Sequence, residues 1–398
     1  MPSVLFYVQY LLGIGHLQRS LRIADALAAD GTVVTLVNGG FPAMLPHDPE
    51  VRVVQLPPVR ARDARFELID GDGRPLSDAL REQRRVRLLA LLDERRPDAV
   101  VTEGFPFARR AFRFELDPLI AAARSATPRP RIACSVRDII VMRDDPERHR
   151  EIVDRVLRDF DAVLVHGDER LIALDASFPA APQIADRLVY TGYVSPAPGI
   201  APPTDDIGAD EVVVSAGGGI AGFALMQAAV AACRGGCLAD VRWRLLAGTN
   251  LPEPQLAELR ASAPGHMIVE RFRDNLAGML RRCRVSVSQG GYNTILDVLV
   301  AGARAVVVPY AAERETEQLL RAERLAARGR ITLVREPELS GEMLAAAIDQ
   351  AAAHNPEPLT IDVDGAARSA RLIRALIAAP HRAARELAAT VEAGMITR

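Results

Sequence analysis

Two adjacent glycines, Gly290 and Gly291, separate an apolar run at 285–288 from a helical pattern at 293–300. Glycines at a strand-to-helix turn let a ligand approach the backbone, and the first turn of the following helix aims N–H groups and the positive end of its dipole at that ligand. That is chemistry for a phosphate. Asn293 and Thr294 belong to the same turn, and Asp297 lies one helical turn further on, where a carboxylate can accept two hydrogen bonds from vicinal hydroxyls such as those of a ribose. A second cluster, Gly217, Gly218 and Gly219, also follows an apolar run. Its spacing does not meet the GxGxxG pattern, so alone it is weak evidence, with close strand-to-helix packing as the alternative. With two such turns in one half of the chain, a shared diphosphate site is the more economical account.

A third group lies near the start: Gly13, Gly15 and His16 in GIGHLQRS. A histidine at a helix N-terminus sits in a field that disfavours imidazolium, which keeps it neutral and able to take a proton. The alternative is a capping or packing histidine. Glu103, Arg137 and Asp138 stand at the ends of later apolar runs, where they line the ligand-binding edge of a sheet or form structural ion pairs; His166 and Asp168 are similar. Glu313, Glu317 and Gln318 follow Pro309 at another strand end, placed to hold sugar hydroxyls, although Glu317 is also spaced to pair with Arg321 on one helix face. Asp144 with Asp145, Asp205 with Asp206, and Asp362 with Asp364 lack the further ligands a metal site needs.

The elements that must position these residues alternate. Strand-like runs are expected at 4–8, 33–37, 51–55, 99–102, 131–135 and 162–166, with helices at 16–29, 76–95 and 145–160. A strand–helix–strand beginning predicts a parallel sheet covered on both faces. The stretch 57–74 is Arg-rich and aperiodic, and reads as a surface loop. Pro and Gly crowd 190–210, the signature of a linker. The alternation restarts with strands at 211–215, 242–247, 267–270, 285–288 and 305–309 and helices at 223–233 and 253–262, followed by helices at 340–354 and 365–379. The predicted organisation is therefore a first α/β domain at 1–195, a linker at 196–210, a second at 211–365, and terminal helices at 366–398 that pack back on the first. Two doubly wound, Rossmann-like domains of this kind bind ligands at the C-terminal ends of their strands, around an interdomain cleft.

Composition narrows the chemistry. The 398 residues carry a formal charge of −2 and contain no lysine, which excludes a Walker A lysine, a lysine Schiff base and a lysine nucleophile. No basic block interleaved with aromatics marks a nucleic-acid binder. The four cysteines are scattered and read as buried thiols rather than a zinc site. MPSVLFYV has no basic leader and runs straight into a strand, and no apolar run approaches the roughly 20 residues of a membrane helix, so a cytoplasmic protein with peripheral membrane contact left open is expected. Tyr10, Leu11 and Leu12 form either an apolar lip for an acceptor or packing under a neighbouring loop.

GIGHLQRS, the glycine cluster at 217–219 and SQGGYNTILDVLVAGARAVVVP together resemble the GT-B glycosyltransferases, in particular the family 28, MurG-like branch and a group with an SxGGYNT turn followed by a segment like ERETEQLLRAERL. The resemblance implies inverting, metal-independent transfer of a sugar from a nucleotide diphosphate sugar, UDP-sugar favoured, to a hydroxyl on a small-molecule or lipid-linked acceptor. It matches Asp297 to the acidic residue on the donor ribose, and Thr294 with Gly217, Gly218 and Gly219 to diphosphate contacts. Phe272 and Arg273 match the segment beside the nucleobase, Glu317 and Gln318 the pair near the donor sugar. His16 matches the acceptor-side histidine, with Asp138 as an alternative base and Gly13, Gly15, Glu103 and Arg137 around the acceptor. Ser288, Gln289 and Gly290 stand where the family has Ser-Arg-Gly. A hydrolase of nucleotide-activated sugars with a GxGHxxR start (Gly13, Gly15, His16, Arg19), in which His16 activates water, and a non-catalytic sugar-nucleotide sensor are the alternatives.

Overall fold

The structure is a computed structural model and describes residues 1–11, 13–62, 67–140, 145–195, 206–217, 222–273, 275–310, 316–379 and 383–393. Two compact units emerge, one built from Met1–Val194 with Asp362–Arg398 and the other from Ser195–Ile361.

In the first unit the strands are β1 (Ser3–Val8), β2 (Val33–Asn38), β3 (Val51–Gln55), β4 (Arg60–Ala61), β5 (Leu68–Ile69), β6 (Ala99–Glu103), β7 (Arg131–Arg137), β8 (Ala162–His166) and β9 (Leu188–Tyr190). Seven of them form a parallel sheet in the order β3-β2-β1-β6-β7-β8-β9. Strands such as VLFYV are apolar at every position because helices cover both faces of such a sheet. On one face, Leu5, Tyr7, Val100 and Val136 pack under α2 (Asp78–Arg95), α3 (Arg113–Ser125) and α4 (Pro146–Asp159). On the other, Val4, Phe6 and Val101 meet Leu17, Leu21, Ala24 and Leu27 of α1 (Gly15–Ala29), the stripe its sequence period specifies.

Three features depart from the expected pattern. Helix α3 is absent from the expected elements; it forms despite Pro118 inside it, with Leu116, Leu119, Ile120 and Ala123 making a buried face. The stretch taken for a plain loop at 57–74 contains the β4–β5 hairpin, with Ala61 opposite Leu68. Strand β9, absent from the expected runs, is only three residues long and ends at Tyr190, where the Pro- and Gly-rich stretch begins.

The second unit has β10 (Val212–Ser215), β11 (Trp243–Leu246), β12 (Met267–Glu270), β13 (Val285–Ser288), β14 (Ala305–Val307) and β15 (Thr332–Leu333), in the order β12-β11-β10-β13-β14-β15. Its helices are α5 (Phe223–Ala232), α6 (Glu253–Ser262), α7 (Leu276–Leu280), α8 (Tyr292–Ala301), α9 (Glu317–Ala326) and α10 (Gly341–Ala353). Because the sheet is parallel throughout, the C-terminal ends of β10, β11, β12, β13 and β14 lie on one edge. Helices α11 (Gly365–Ala378) and α12 (Ala384–Glu392) then return to the first unit, where Leu372, Ile373, Leu376 and Leu387 complete the core around α1. Among the described residues no helix is long and apolar enough to cross a membrane.

Candidate functional site

Glu103 is the last residue of β6, and its carboxylate is almost enclosed, with 2% of the side chain exposed. Its Oε1 accepts from His16 Nδ1 at 2.6 Å and from Arg19 Nη2 at 2.7 Å; its Oε2 accepts from Arg109 Nη2 at 2.8 Å. On the far side of the imidazole, His16 Nε2 meets Arg137 Nη2 from the end of β7. Arg19 Nη2 also stands 3.4 Å from Nδ1, but the carboxylate is much nearer; a carboxylate accepts and a guanidinium donates, so the shorter contact at each nitrogen assigns the proton to Nδ1 and the lone pair to Nε2. Burial and then the Arg137 charge push His16 down from 6.5 to about 3, against the opposing pull of Glu103. Burial raises the Glu103 carboxyl, but His16, Arg109 and Arg19 overcome it and hold the group well below the usual carboxylate range. The result is a neutral imidazole, 21% exposed, oriented by an ionised carboxylate at the N-terminus of α1. The lone pair on Nε2 is thus available but weakly basic while Arg137 faces it, and moving that guanidinium away would raise the basicity toward the range a general base needs.

The neighbouring strand ends are quieter. Asp138 is fully buried; its carboxylate accepts from the Tyr193 hydroxyl at 3.1 Å and the Ile139 amide at 3.0 Å, and Gly167 is packed against its Cβ. Those contacts and that enclosure suit a brace between β7 and the segment after β9 rather than a base in contact with solvent. His166, also buried, bridges Ser135 Oγ at 2.7 Å and Thr191 Oγ1 at 2.8 Å, and burial together with Arg19 pushes it well down. Asp168 pairs with Arg170 at 2.6 Å. Gly13 is exposed with open space where a Cβ would project, and Gly15 opens α1.

In the second unit, α8 begins directly after Gly291, and nothing lies within 4 Å of where a Cβ on Gly291 would stand. Gly290 is different: a Cβ there would meet the Gln318 carbonyl oxygen at 3.1 Å and the Gln318 Cβ at 3.2 Å, so its glycine serves the close approach of α9. Glu317 is buried in an ion pair with Arg321 at 2.9 Å, and Arg321 also donates to the Gly290 carbonyl at 3.2 Å and stacks over Tyr292. Gln318 Oε1 accepts from the Tyr310 amide at 3.1 Å. Glu317 thus reaches the glycine turn through Arg321, and α9 packs against Gly290 at Gln318. Asn293, Thr294 and Asp297 lie partly exposed along the first turns of α8. Gly217, two residues after β10, takes φ +54°, in the left-handed region that favours glycine. Gly218, Gly219 and Glu313 lie outside the described residues, as does Leu12. After β12, Phe272 is 60% exposed and Arg273 pairs with Glu270 at 2.5 Å.

Residues 214–372, which carry both glycine turns and α8, match the model of the glycosyltransferase family 28 C-terminal domain. This stretch is a family 28 glycosyltransferase domain. Over 114 residues the chain is 31% identical to the UDP-N-acetylglucosamine–N-acetylmuramyl-(pentapeptide) pyrophosphoryl-undecaprenol N-acetylglucosamine transferase of Rippkaea orientalis, covering 29% of this chain and 31% of that relative. The match therefore spans about a third of that curated relative's length. Two solved structures are similar along the whole chain: the calicheamicin glycosyltransferase CalG4 (18% identical, TM-score 0.58, 100% of both chains) and MurG of Acinetobacter baumannii (16% identical, TM-score 0.56, 98% of this chain and 99% of that one). The fold is GT-B, with two Rossmann-like units.

Within the family 28 domain the strand-end edge brings together Gly217, Phe272, Arg273, Gly290, Gly291, Asn293 and Thr294, with Asp297 one turn along α8. In the first unit, His16, Glu103 and Arg137 converge, and Arg19 and Arg109 complete the cluster. Arg19 had a signal in the sequence, since it stands three residues after His16 on the same helix. Arg109 had none, because it lies in an aperiodic loop whose path only the fold determines.

Proposed function

We propose that the protein is an inverting, nucleotide-sugar-dependent glycosyltransferase that needs no divalent ion. The family 28 domain binds a nucleotide diphosphate sugar, UDP-sugar favoured, and His16 is the base that takes the proton of an acceptor hydroxyl. The observation that carries the reading is the Glu103–His16 pair: a neutral imidazole whose basic nitrogen is defined by a buried carboxylate on the other side. The relative in Rippkaea orientalis is by its name a transferase acting from UDP-N-acetylglucosamine onto a pyrophosphoryl-undecaprenol acceptor, which supports a UDP-sugar donor and a lipid-linked acceptor.

In this mechanism the acceptor hydroxyl displaces Arg137 from His16 Nε2 and gives up its proton there as its oxygen attacks the anomeric carbon. The bond from that carbon to the diphosphate breaks, and negative charge develops on the leaving group. The N-terminus of α8 and the amides of the glycine turns stabilise that charge without reorganising during the reaction. Exposed Phe272 offers a face for the base, and Asp297 a carboxylate for the ribose hydroxyls.

The test is incubation with UDP-, TDP- and GDP-sugars, with EDTA present, with and without small-molecule and lipid-linked hydroxyl acceptors. The expected result is acceptor-dependent release of nucleotide, reduced about 100-fold or more by His16→Ala. Release at full rate without acceptor would identify a hydrolase. Nucleotide binding without turnover, unaffected by His16→Ala, would identify a sensor.

A further inference from the structure

We infer that Arg19 and Arg109 are positioning residues that decide which nitrogen of His16 is the base, Arg109 acting through Glu103 alone and Arg19 chiefly through Glu103, with a longer contact of its own to His16 Nδ1 at 3.4 Å. The inference deepens the transferase reading and relies on it for its kinetic readout alone.

The geometry is specific. Each oxygen of one enclosed carboxylate accepts from a guanidinium: Oε1 from Arg19 at 2.7 Å and Oε2 from Arg109 at 2.8 Å. Arg19 is itself buried, with 2% of its side chain exposed, and reaches Glu103 from one turn beyond His16 on α1. Arg109 holds φ 63° and ψ 26°, in the left-handed region that non-glycine residues rarely occupy. Gly104, at φ +79° in the same left-handed region, turns the chain at the end of β6, and a Cβ there would stand in ordinary contact with Ala108 at 3.4 Å and the Arg109 side chain at 3.7 Å.

A buried carboxyl group takes up a proton unless nearby cations keep it ionised. A protonated Glu103 would donate to His16 Nδ1, the imidazole proton would move to Nε2, and no lone pair would face an acceptor hydroxyl. With both oxygens held by guanidiniums, Glu103 only accepts, Nδ1 keeps its proton and Nε2 stays basic. The charged and titratable groups around this pair come from every adjoining element: Arg19 on α1, Arg109 on the loop after β6, Arg137 at the end of β7, and buried Cys134 and His166, which feel the Glu103 charge from β7 and β8. Arg19 and Arg109 are the two that bind the carboxylate while leaving Nε2 to Arg137.

Full-length protein labelled with 15N-histidine reports the tautomer directly by NMR, and the pH dependence of kcat/KM reports the same change kinetically. In the wild type the Nδ1–H form is expected throughout pH 5–8. In Arg109→Met and Arg19→Met the His16 signal shifts toward the Nε2–H form and the acid limb of the profile moves up by about one pH unit or more, since loss of a cation lets both Glu103 and His16 protonate more easily. Arg109→Lys and Arg19→Lys, which keep the charge and the fold, restore the limb. A uniform loss of rate with tautomer and acid limb unchanged would overturn the inference, as would Lys variants that behave like the Met variants. If no transferase activity is found, the NMR arm still decides: a tautomer shift upholds the positioning role while the transferase reading falls, and an unchanged tautomer removes the positioning role.

Discussion

His16 carries a stability signature as well as a chemical one. Its pKa is near 3 in the fold against an ordinary 6.5, so between those values the unfolded chain binds a proton that the folded chain does not. Stability conferred by this group is intact above about 6.5 and falls as pH drops toward about 3, by at most about 1.4 kcal/mol for each pH unit. Urea unfolding at pH 7 and pH 5 should therefore show a loss of about 2 kcal/mol in the wild type that His16→Asn largely abolishes. Glu103, with its pKa depressed, contributes stability that persists at pH 5 and is lost only as pH falls below the ordinary carboxylate range, so the two windows separate. Glu103→Gln keeps the shape of the side chain but removes its charge. The expected outcome is a fall in transfer rate of about 100-fold at neutral pH, measured by nucleotide release with acceptor present.

The glycine turn before α8 shows how one element serves both packing and access. Gly290→Ala places a Cβ 3.1 Å from the Gln318 carbonyl oxygen and forces α9 to retreat by a few tenths of an ångström, an overpacking cost of about 1–3 kcal/mol visible as a lower Tm. Gly291→Ala adds a methyl into open space at φ −61°, so the Tm should hold while the stabilisation produced by UDP falls, because the methyl stands where a phosphate would approach the helix N-terminus. A thermal-shift series with and without UDP separates the two. In the first unit, Arg84 and Glu115 form a fully buried bidentate pair, and Arg84 also donates to the Gly39 and Pro57 carbonyls and to Gln9. Arg84→Met leaves the carboxylate buried without its cation and should cost about 3–5 kcal/mol by urea unfolding; adding Glu115→Leu should recover much of it.

At the scale of the molecule, the return of the chain at Asp362 completes the first unit. Tyr193 donates its amide to the Asp362 carbonyl at 2.7 Å, Val194 bridges Asp364, and Gly192, at φ +80°, leaves room for the Asp362 carboxylate where a Cβ would stand 2.5 Å away. Helices α11 and α12 then bury Leu372, Ile373, Leu376 and Leu387 against α1 and the sheet. Each such side chain is worth about 1.5–3 kcal/mol, so together they rival the roughly 5–15 kcal/mol that holds an ordinary domain folded. A chain ending at Ile361 should lose the calorimetric transition of the first unit and keep that of the second.

Much of this architecture was legible in the sequence because parallel strands covered on both faces must be apolar at every position, and α1 and α8 must carry their apolar stripes at helical spacing. The glycine turns and the family 28 resemblance were legible for the same local reason: backbone conformation and helix ends are properties of a few consecutive residues. Pairing was not legible. Glu317 with Arg321 could be read either way until α9 packed behind Gly290, and α3, with Pro118 inside it, is held by a buried face that outweighs the missing hydrogen bond. The sequence by itself determined that a histidine would stand at the start of α1, beside a strand end. Only the tertiary structure decided that Glu103, 87 residues away, would hold its Nδ1, and that Arg109, from an aperiodic loop, would keep that carboxylate ionised. Electrostatic partners of a buried group are chosen by which strand ends the sheet order brings together, and sheet order is a property of the whole chain.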